Sequence, residues 1–448
     1  MADYGVRFLV ILVASFTLLA VRASGAELRA GAAKTDITPP LGGRMYGYGA
    51  RGANTSSGVH DPLYAKAMVL TDGKTKLAVV TLDLGSIDAT NTAAVRDLLS
   101  KTTDIDHVLL IASHTHSAPS FNEQFPSTEK PYPRDLERKI AEAVAAANDA
   151  LQPAHIGVGW GRVEEGHNRR QVLPDGSVKM LWGNRARRPT SPVDYAVGVI
   201  AVNGANGEPV ATLINYACHP VVLGPENLLI SADYPGAMMA YVEKHVSGQA
   251  MFIQGAAGDI NPFWDKTPPA EGGFEQAQKM GEAIAREVLR VRGDIAETSS
   301  EIALNVQRQV IPLRPRWDIE DPDVRKAIGD RYGARALSYY AARFKRVREA
   351  EVNTVLIGEN LAIATFPGEF FVEHGLHLRR SSTIPNTIFA GYTNGALGYF
   401  PTIRAAAEGG YGAKTATVVE VGAGEKLVSH ALIQLHYQAG KLNRVPRF

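Results

Sequence analysis

The sequence predicts an α/β fold of mixed β-sheets flanked by helices, with functional groups in the loops at strand ends. Six short apolar runs each finish in a polar turn, often with Gly or Pro, and segments rich in Ala, Glu, Arg and Leu alternate with them. Runs that are apolar throughout read as strands buried on both faces.

At the start of the 448 residues, Phe8 to Val21 is almost wholly apolar, with Arg7 before it and Arg22 and the small residues Ala23 to Ala26 behind. A bilayer span needs about 20 apolar residues, so this shorter run with a small-residue site reads as a signal peptide over residues 1–26. An uncleaved anchor is the alternative. Export to the periplasm or the medium follows, and residues 27–448 are expected to form one domain.

The runs then follow in order. Lys76 to Leu82 leads into Asp83 to Ser86, and His107 to Ala112 into Ser113 to Ser117. Ala211 to Tyr216 leads into Cys218, His219 and Pro220; Ala250 to Gln254 into Gly255 to Pro262. Leu361 to Thr365 leads into Phe366 to Glu369, and Thr387 to Ala390 into Gly391 to Asn394. Helices are predicted over Asn91 to Ser100, Asp135 to Leu151, Phe274 to Val291 and Pro322 to Glu351. Ile140, Val144 and Ala147 form one stripe, and Met280, Ile284 and Val288 another, at helical spacing. Glu164 to Pro192 is polar and Arg-rich, and Pro174-Asp175-Gly176 marks a hairpin turn, either over a site or on plain surface. No internal repeat is legible.

Lys plus Arg number 47 against 46 Asp plus Glu, a balance that gives no electrostatic footprint for nucleic acid. No feature points to a protein partner. The one cysteine, Cys218, excludes an intramolecular disulfide and reads as a buried small apolar residue.

Open α/β sheets place functional groups at strand ends. There the sequence offers His114 and His116, His219 and Glu369, residue types that zinc accepts while keeping a position open for water. In an extended backbone the two imidazoles of His114-Thr115-His116 face the same side. From spacing alone these four remain candidates, beside structural roles for each.

Several segments resemble, in order, the N-terminal catalytic domain of the neutral/alkaline, non-lysosomal ceramidases. They are Gly31 to Pro39, Met45 to Gly49, Asp61 to Ala67, Leu82 to Gly85, Ser113 to Pro119, Asn168-Arg169, His219-Pro220, Gly258 to Pro262 and Pro367 to Phe370. The resemblance implies a zinc-dependent hydrolase of an N-acyl amide, ceramide giving a sphingoid base and a fatty acid. It implies Zn2+ held by His114, His219, Glu369 and Tyr399, with His116 beside the scissile amide and Arg169 contacting substrate. Such an ion lowers the pKa of bound water from about 15.7 towards 7 and polarises a carbonyl. His116 or Tyr399 is then the proton donor to the leaving amine, and Asp83, Asp233 and Asp259 are candidates to orient the histidines. A lipid substrate adds the expectation of transient contact with a membrane surface.

Two departures stand out. The family's active-site serine is Asn261 here, a group that orients by hydrogen bonding but neither attacks nor carries protons. Full-length members also carry a C-terminal immunoglobulin-like domain of about 100 residues, for which the sequence after the last matching segment is too short. Three other readings stay open: a zinc hydrolase of another amide, an ester or an acylated sugar; an inactive secreted binding protein of the same fold; and structural histidines on a shared fold.

Overall fold

The computed structural model describes residues 27–120, 132–296, 298–344, 347–414 and 416–443, with residues 1 and 445; the apolar leader lies outside them. Among the described residues no helix is long and apolar enough to cross a membrane.

The chain makes the same move three times. Three antiparallel strands run as a meander, a helix crosses over, a fourth strand lies parallel to the third, and a long helix closes the unit. The first unit uses strands Arg29–Asp36, Tyr64–Thr71, Lys76–Leu82 and His107–Ala112 with helices Ala89–Ser100 and Tyr132–Asp149. The second uses Gln152–Arg162, Ala196–Gly204, Pro209–Tyr216 and Gln249–Gln254 with helices Asp233–His245 and Gly273–Asp294. The third uses Leu304–Leu313, Arg348–Ile357, Leu361–Thr365 and Asn386–Ala390 with helices Val372–Ser381 and Ala423–Gln438. The first strands of units one and two pair antiparallel, fusing them into one eight-stranded sheet; unit three is a separate four-stranded sheet. This corrects the reading that no repeat exists. The repeat lies in strand order and direction, which any buried apolar run satisfies, so the letters carry no period.

Strict alternation explains how the layers stack. Along Tyr64–Thr71, Ala65, Ala67 and Val69 face the first unit's helices, while Met68 and Leu70 face the other sheet. Lys76–Leu82 and His107–Ala112 do the same: Val80 and Leu110 pack on helices, Val79 and Ile111 between the sheets. The inter-sheet core also takes Ile200, Met251 and Ile253 from the large sheet and Val355, Ile363 and Ile388 from the small one. Each such buried side chain contributes about 1.5–3 kcal/mol of apolar burial. The result is four layers: helix, sheet, sheet, helix.

Local signals account for most boundaries. Asp88 caps the first crossover helix, its side chain accepting from Asn91 N. The predicted helix over Pro322 to Glu351 is corrected. Helix Pro322–Phe344 is broken by Gly333 at φ 80°, ψ 170°, and Arg348–Ile357 is a strand. Pairing on both sides by Leu304–Leu313 and Leu361–Thr365 there overrides local helix preference.

Candidate metal centre

In each unit the third and fourth strands run parallel, so both end at the same rim. The three rims meet. Ala112 N donates to Tyr392 O (3.1 Å), Gly391 N to Gln254 O (2.9 Å) and Gln254 Nε2 to Ser113 O (3.1 Å), linking the ends of all three fourth strands. Every sequence-predicted metal ligand lies in a loop leaving this rim.

His114 follows His107–Ala112 and His219 follows Pro209–Tyr216. His114 Nδ1 is 2.6 Å from Gly85 O, and His219 Nδ1 is 2.6 Å from Ala257 O and 3.1 Å from Ile260 O. A carbonyl only accepts, so both Nδ1 atoms carry the hydrogen and both Nε2 atoms keep a free lone pair. Those lone pairs converge. Each Nε2 lies 3.3 Å from Glu369 Oε2, and His116 Nε2 lies 3.3 Å from His114 Nε2. One nitrogen from each of His114, His116 and His219 falls within a mutual 4.8 Å, and Glu369 joins this group through His114 and His219. This buried three-histidine group could hold a metal ion, and its neutral nitrogens beside an anionic oxygen are the donors such an ion takes.

The electrostatics agree with neutral His116 and His219. Burial first, and then the charge of Arg169, bring His219 down to about 4. Burial and the neighbouring histidines push His116 well below its usual range. Burial opposes ionisation of Glu369; whenever His114 or His219 carries a second proton, its charge outweighs burial and holds the carboxyl well below the usual carboxylate range.

His116 is held differently. Its ring sits edge-on to Tyr46 at 5.5 Å and tilted on Tyr48 at 4.8 Å, and Arg51 Nη1 donates to its carbonyl (2.7 Å). Gly47, at φ 93°, presses so closely that a Cβ there would lie 2.1 Å from His116 Nδ1. That Nδ1 is buried and has no hydrogen-bond partner among the described residues. Two imidazoles thus have a tautomer locked by backbone, while the third is clamped by shape alone.

Tyr399 is the register partner of Glu369 in a two-residue parallel pair, which sets the two side by side. Arg169, at the base of the hairpin formed by Arg170–Val172 and Val178–Met180, reaches in beneath it. Its Nη2 donates to Tyr399 Oη (3.1 Å) and Gly258 O (2.7 Å), and its Nη1 to Asn261 Oδ1 (3.0 Å). The guanidinium lies 5.3 Å from the rings of both Trp182 and Tyr411 and 5.6 Å from that of Tyr399. Asn261 turns its amide nitrogen to Trp182 O at 3.5 Å. Asn261 is thus an anchor for Arg169.

Several expectations need correction. The convergence of His114 and His116 does not come from strand alternation, because His114 has left the strand and sits at φ 70°. Asp83, Asp233 and Asp259 orient no imidazole. They accept from Tyr64 N, from Leu223 N and Tyr234 N, and from Val372 N and Asn168 Nδ2, tying loops instead. The histidines lean on carbonyls, which no residue letter announces. Cys218 is fully buried, and burial raises its thiol, which suits packing and not attack. Sequence reasoning missed Tyr48, Arg51 and Tyr392; Tyr48 and Tyr392 lie in segments already quoted as a matching motif or a turn and Arg51 just beyond one, but nothing marked the residues themselves.

Comparisons with known proteins fit this picture. The family profile of the neutral/alkaline non-lysosomal ceramidases, N-terminal part, matches residues 28–302. Neutral ceramidase of Pseudomonas aeruginosa is 25% identical over 341 residues, 69% of this chain and 50% of that protein. Neutral ceramidases A and B of Dictyostelium discoideum are each 27% identical, over 51% and 54% of this chain and 35% and 36% of their own. The chain therefore spans about half or less of the length of these relatives. A crystal structure of the Pseudomonas aeruginosa neutral ceramidase has the same fold, with a TM-score of 0.74 at 20% identity over 94% of this chain and 76% of that one. With more than half of its residues matched by the profile, the chain belongs to the neutral/alkaline non-lysosomal ceramidase family.

Proposed function

We propose that this chain is a zinc-dependent amidohydrolase that cleaves the N-acyl amide bond of ceramide or a close analogue, working outside the cytoplasm after loss of residues 1–26. The observation that carries the reading is the meeting of three imidazole nitrogens with Glu369, two of them tautomer-locked, in a member of a ceramidase family.

His114, His219, Glu369 and Tyr399 would hold the ion, which when bound supplies an activated water and a polarising charge. Burial and the charge of Arg169 keep His219 in the neutral form that binding requires. His116, whose Nε2 faces His114 Nε2 at 3.3 Å, would take a proton from the attacking water and deliver it to the leaving amine. Arg169 orients the Tyr399 hydroxyl, and Asn261 holds Arg169. Beside the site, Val172, Trp182 and Tyr411 are exposed, and Gly410 packs on Val178 and Met180. Such an apolar ridge suits an acyl chain and contact with a lipid surface.

A second reading, hydrolysis of another amide or of an ester, is favoured by Asn261: with the serine gone and the Arg169 Nη atoms engaged, the polar half of the substrate meets a different wall. One experiment separates the two. Zinc content and hydrolysis of a fluorescent short-chain ceramide are measured for wild type and His114→Ala. About one zinc per chain and turnover, both lost in the variant, is the expected result. Zinc without ceramide turnover moves the assignment to other amides and esters, and a folded protein that takes up no metal removes the mechanism.

A further inference from the structure

Tyr392 lies at the meeting point of the three rims and has no role in the chemistry above. Its backbone is in the left-handed region at φ 53°, uncommon for a bulky residue. Two hydrogen bonds hold it there: its N–H donates to Gly368 O (3.2 Å), one residue before Glu369, and its carbonyl accepts from Ala112 N (3.1 Å), two before His114. Its ring lies 4.3 Å from that of His114, tilted by 33°. One residue thus joins the loop carrying the carboxylate to the loop carrying a histidine and covers the face of that histidine.

The hydroxyl is the unexplained part. Tyr392 is only 3% exposed, yet its Oη has no hydrogen-bond partner among the described residues. A buried hydroxyl without a partner costs free energy, and phenylalanine would keep the stack on His114 without that cost. The charges acting on this oxygen most strongly are those of Glu369 and Arg169, on the two sides of the site. A phenol with an ordinary pKa near 10 is a hydrogen-bond donor at neutral pH. Its partner is therefore a group that enters the site.

We propose that Tyr392 is a catalytic residue whose hydroxyl donates a hydrogen bond to the reacting oxygen of the bound amide, while its ring, as a positioning element, holds His114 in place. This rests on the amidohydrolase reading and adds a donor to it. A donor aimed at an oxygen on which charge develops strengthens its bond in the transition state.

The test uses the full chain loaded with zinc, comparing wild type, Tyr392→Phe and Tyr392→Leu. Four quantities are read: kcat and KM on the fluorescent short-chain ceramide, zinc content, the rate of zinc loss to a chelator, and Tm. For Tyr392→Phe, kcat should fall about 100-fold with KM within about twofold. Its zinc content and chelator rate should be unchanged and its Tm equal or higher, since an unpaired hydroxyl has been removed. Tyr392→Leu should in addition lose zinc faster, because the stack on His114 is gone. Wild-type kcat in Tyr392→Phe overturns the catalytic role, and a lowered Tm there makes the hydroxyl structural. Zinc loss from Tyr392→Leu at the wild-type rate overturns the positioning role. If wild type cleaves no amide or ester, the amidohydrolase reading and the donor role fail together, whereas the chelator arm still reads the ring.

Discussion

The two sheets contribute different chemistry to the centre. The large sheet supplies nitrogen: His114 from its first unit, His219 from its second. The small sheet supplies oxygen: Glu369, Tyr392 and Tyr399. The candidate nitrogen ligands are secured at home, each Nδ1 on a carbonyl of its own unit, Gly85 or Ala257. The oxygen side is secured from abroad. Glu369 faces the two histidines of the other sheet, and Tyr399 takes its hydrogen bond from Arg169 of the second unit. The Nδ1 atoms of His114 and His219 are thus oriented by local folding, whereas Glu369, Tyr399 and the cover of Tyr392 on His114 are set only once the sheets have packed.

Removing a locally secured ligand breaks this comparison most severely. His219→Ala should abolish both bound zinc and turnover, read by metal analysis and the ceramide assay, with the fold retained by circular dichroism. Opening the seam between the sheets comes next. Ile388 is fully buried in the inter-sheet core, so Ile388→Ala should cost about 2–5 kcal/mol in urea denaturation, and oxygen-side function should fail before zinc binding by the histidines. Arg169→Met removes the long-range tie alone. It should lower kcat about 10–100-fold with zinc still bound, and kcat and zinc content at wild-type values would show that Tyr399 needs no such tie. Asn261→Ser, which shortens the anchor of Arg169, should change kcat less than Arg169→Met does.

The smallest effect concerns a second tie between units. Arg96 of the first crossover helix grips Glu351 of the third unit at 2.8 and 2.6 Å, and Arg308 adds a contact at 2.7 Å. Burial raises this carboxyl, but Arg96 first, then Asn353 and Arg308, outweigh it and pull it from 4.5 to about 2. A carboxyl depressed in the folded state stabilises above its unfolded value and loses that contribution as pH falls. Glu351→Gln should therefore lower the urea midpoint at pH 7, and the gap from wild type should close between about pH 4.5 and about 2. A gap that stays constant across that range would remove the ion pair as its cause.

Much of the frame was legible because buried strands leave a plain mark: unbroken apolar runs ending in polar turns. His114, His219 and Glu369 were legible as donors at those ends. Tyr399 was visible only through the family resemblance, since a tyrosine in Gly398-Tyr399-Phe400 has no ligand signature of its own. The orienting groups were not legible at all, because Gly85 and Ala257 act through backbone oxygen. The aspartates drew attention by their charge, yet loop N–H groups claim them. The three-unit plan escaped because strand direction and pairing leave no letters behind.

That plan also separates floor from walls. The candidate ligands follow a third or a fourth strand in every unit, while residues that close over them come from the long connections between first and second strands. Residues 37–63 bring Tyr46, Tyr48 and Arg51, and residues 163–195 bring Arg169 and Trp182. Such a connection enters and leaves neighbouring antiparallel strands whose spacing the meander alone determines. A segment of different length and sequence could therefore be transplanted there without disturbing the strand ends beneath. The entrance could in this way be refitted by exchange of a single connection, with the three-histidine group beneath it left unchanged.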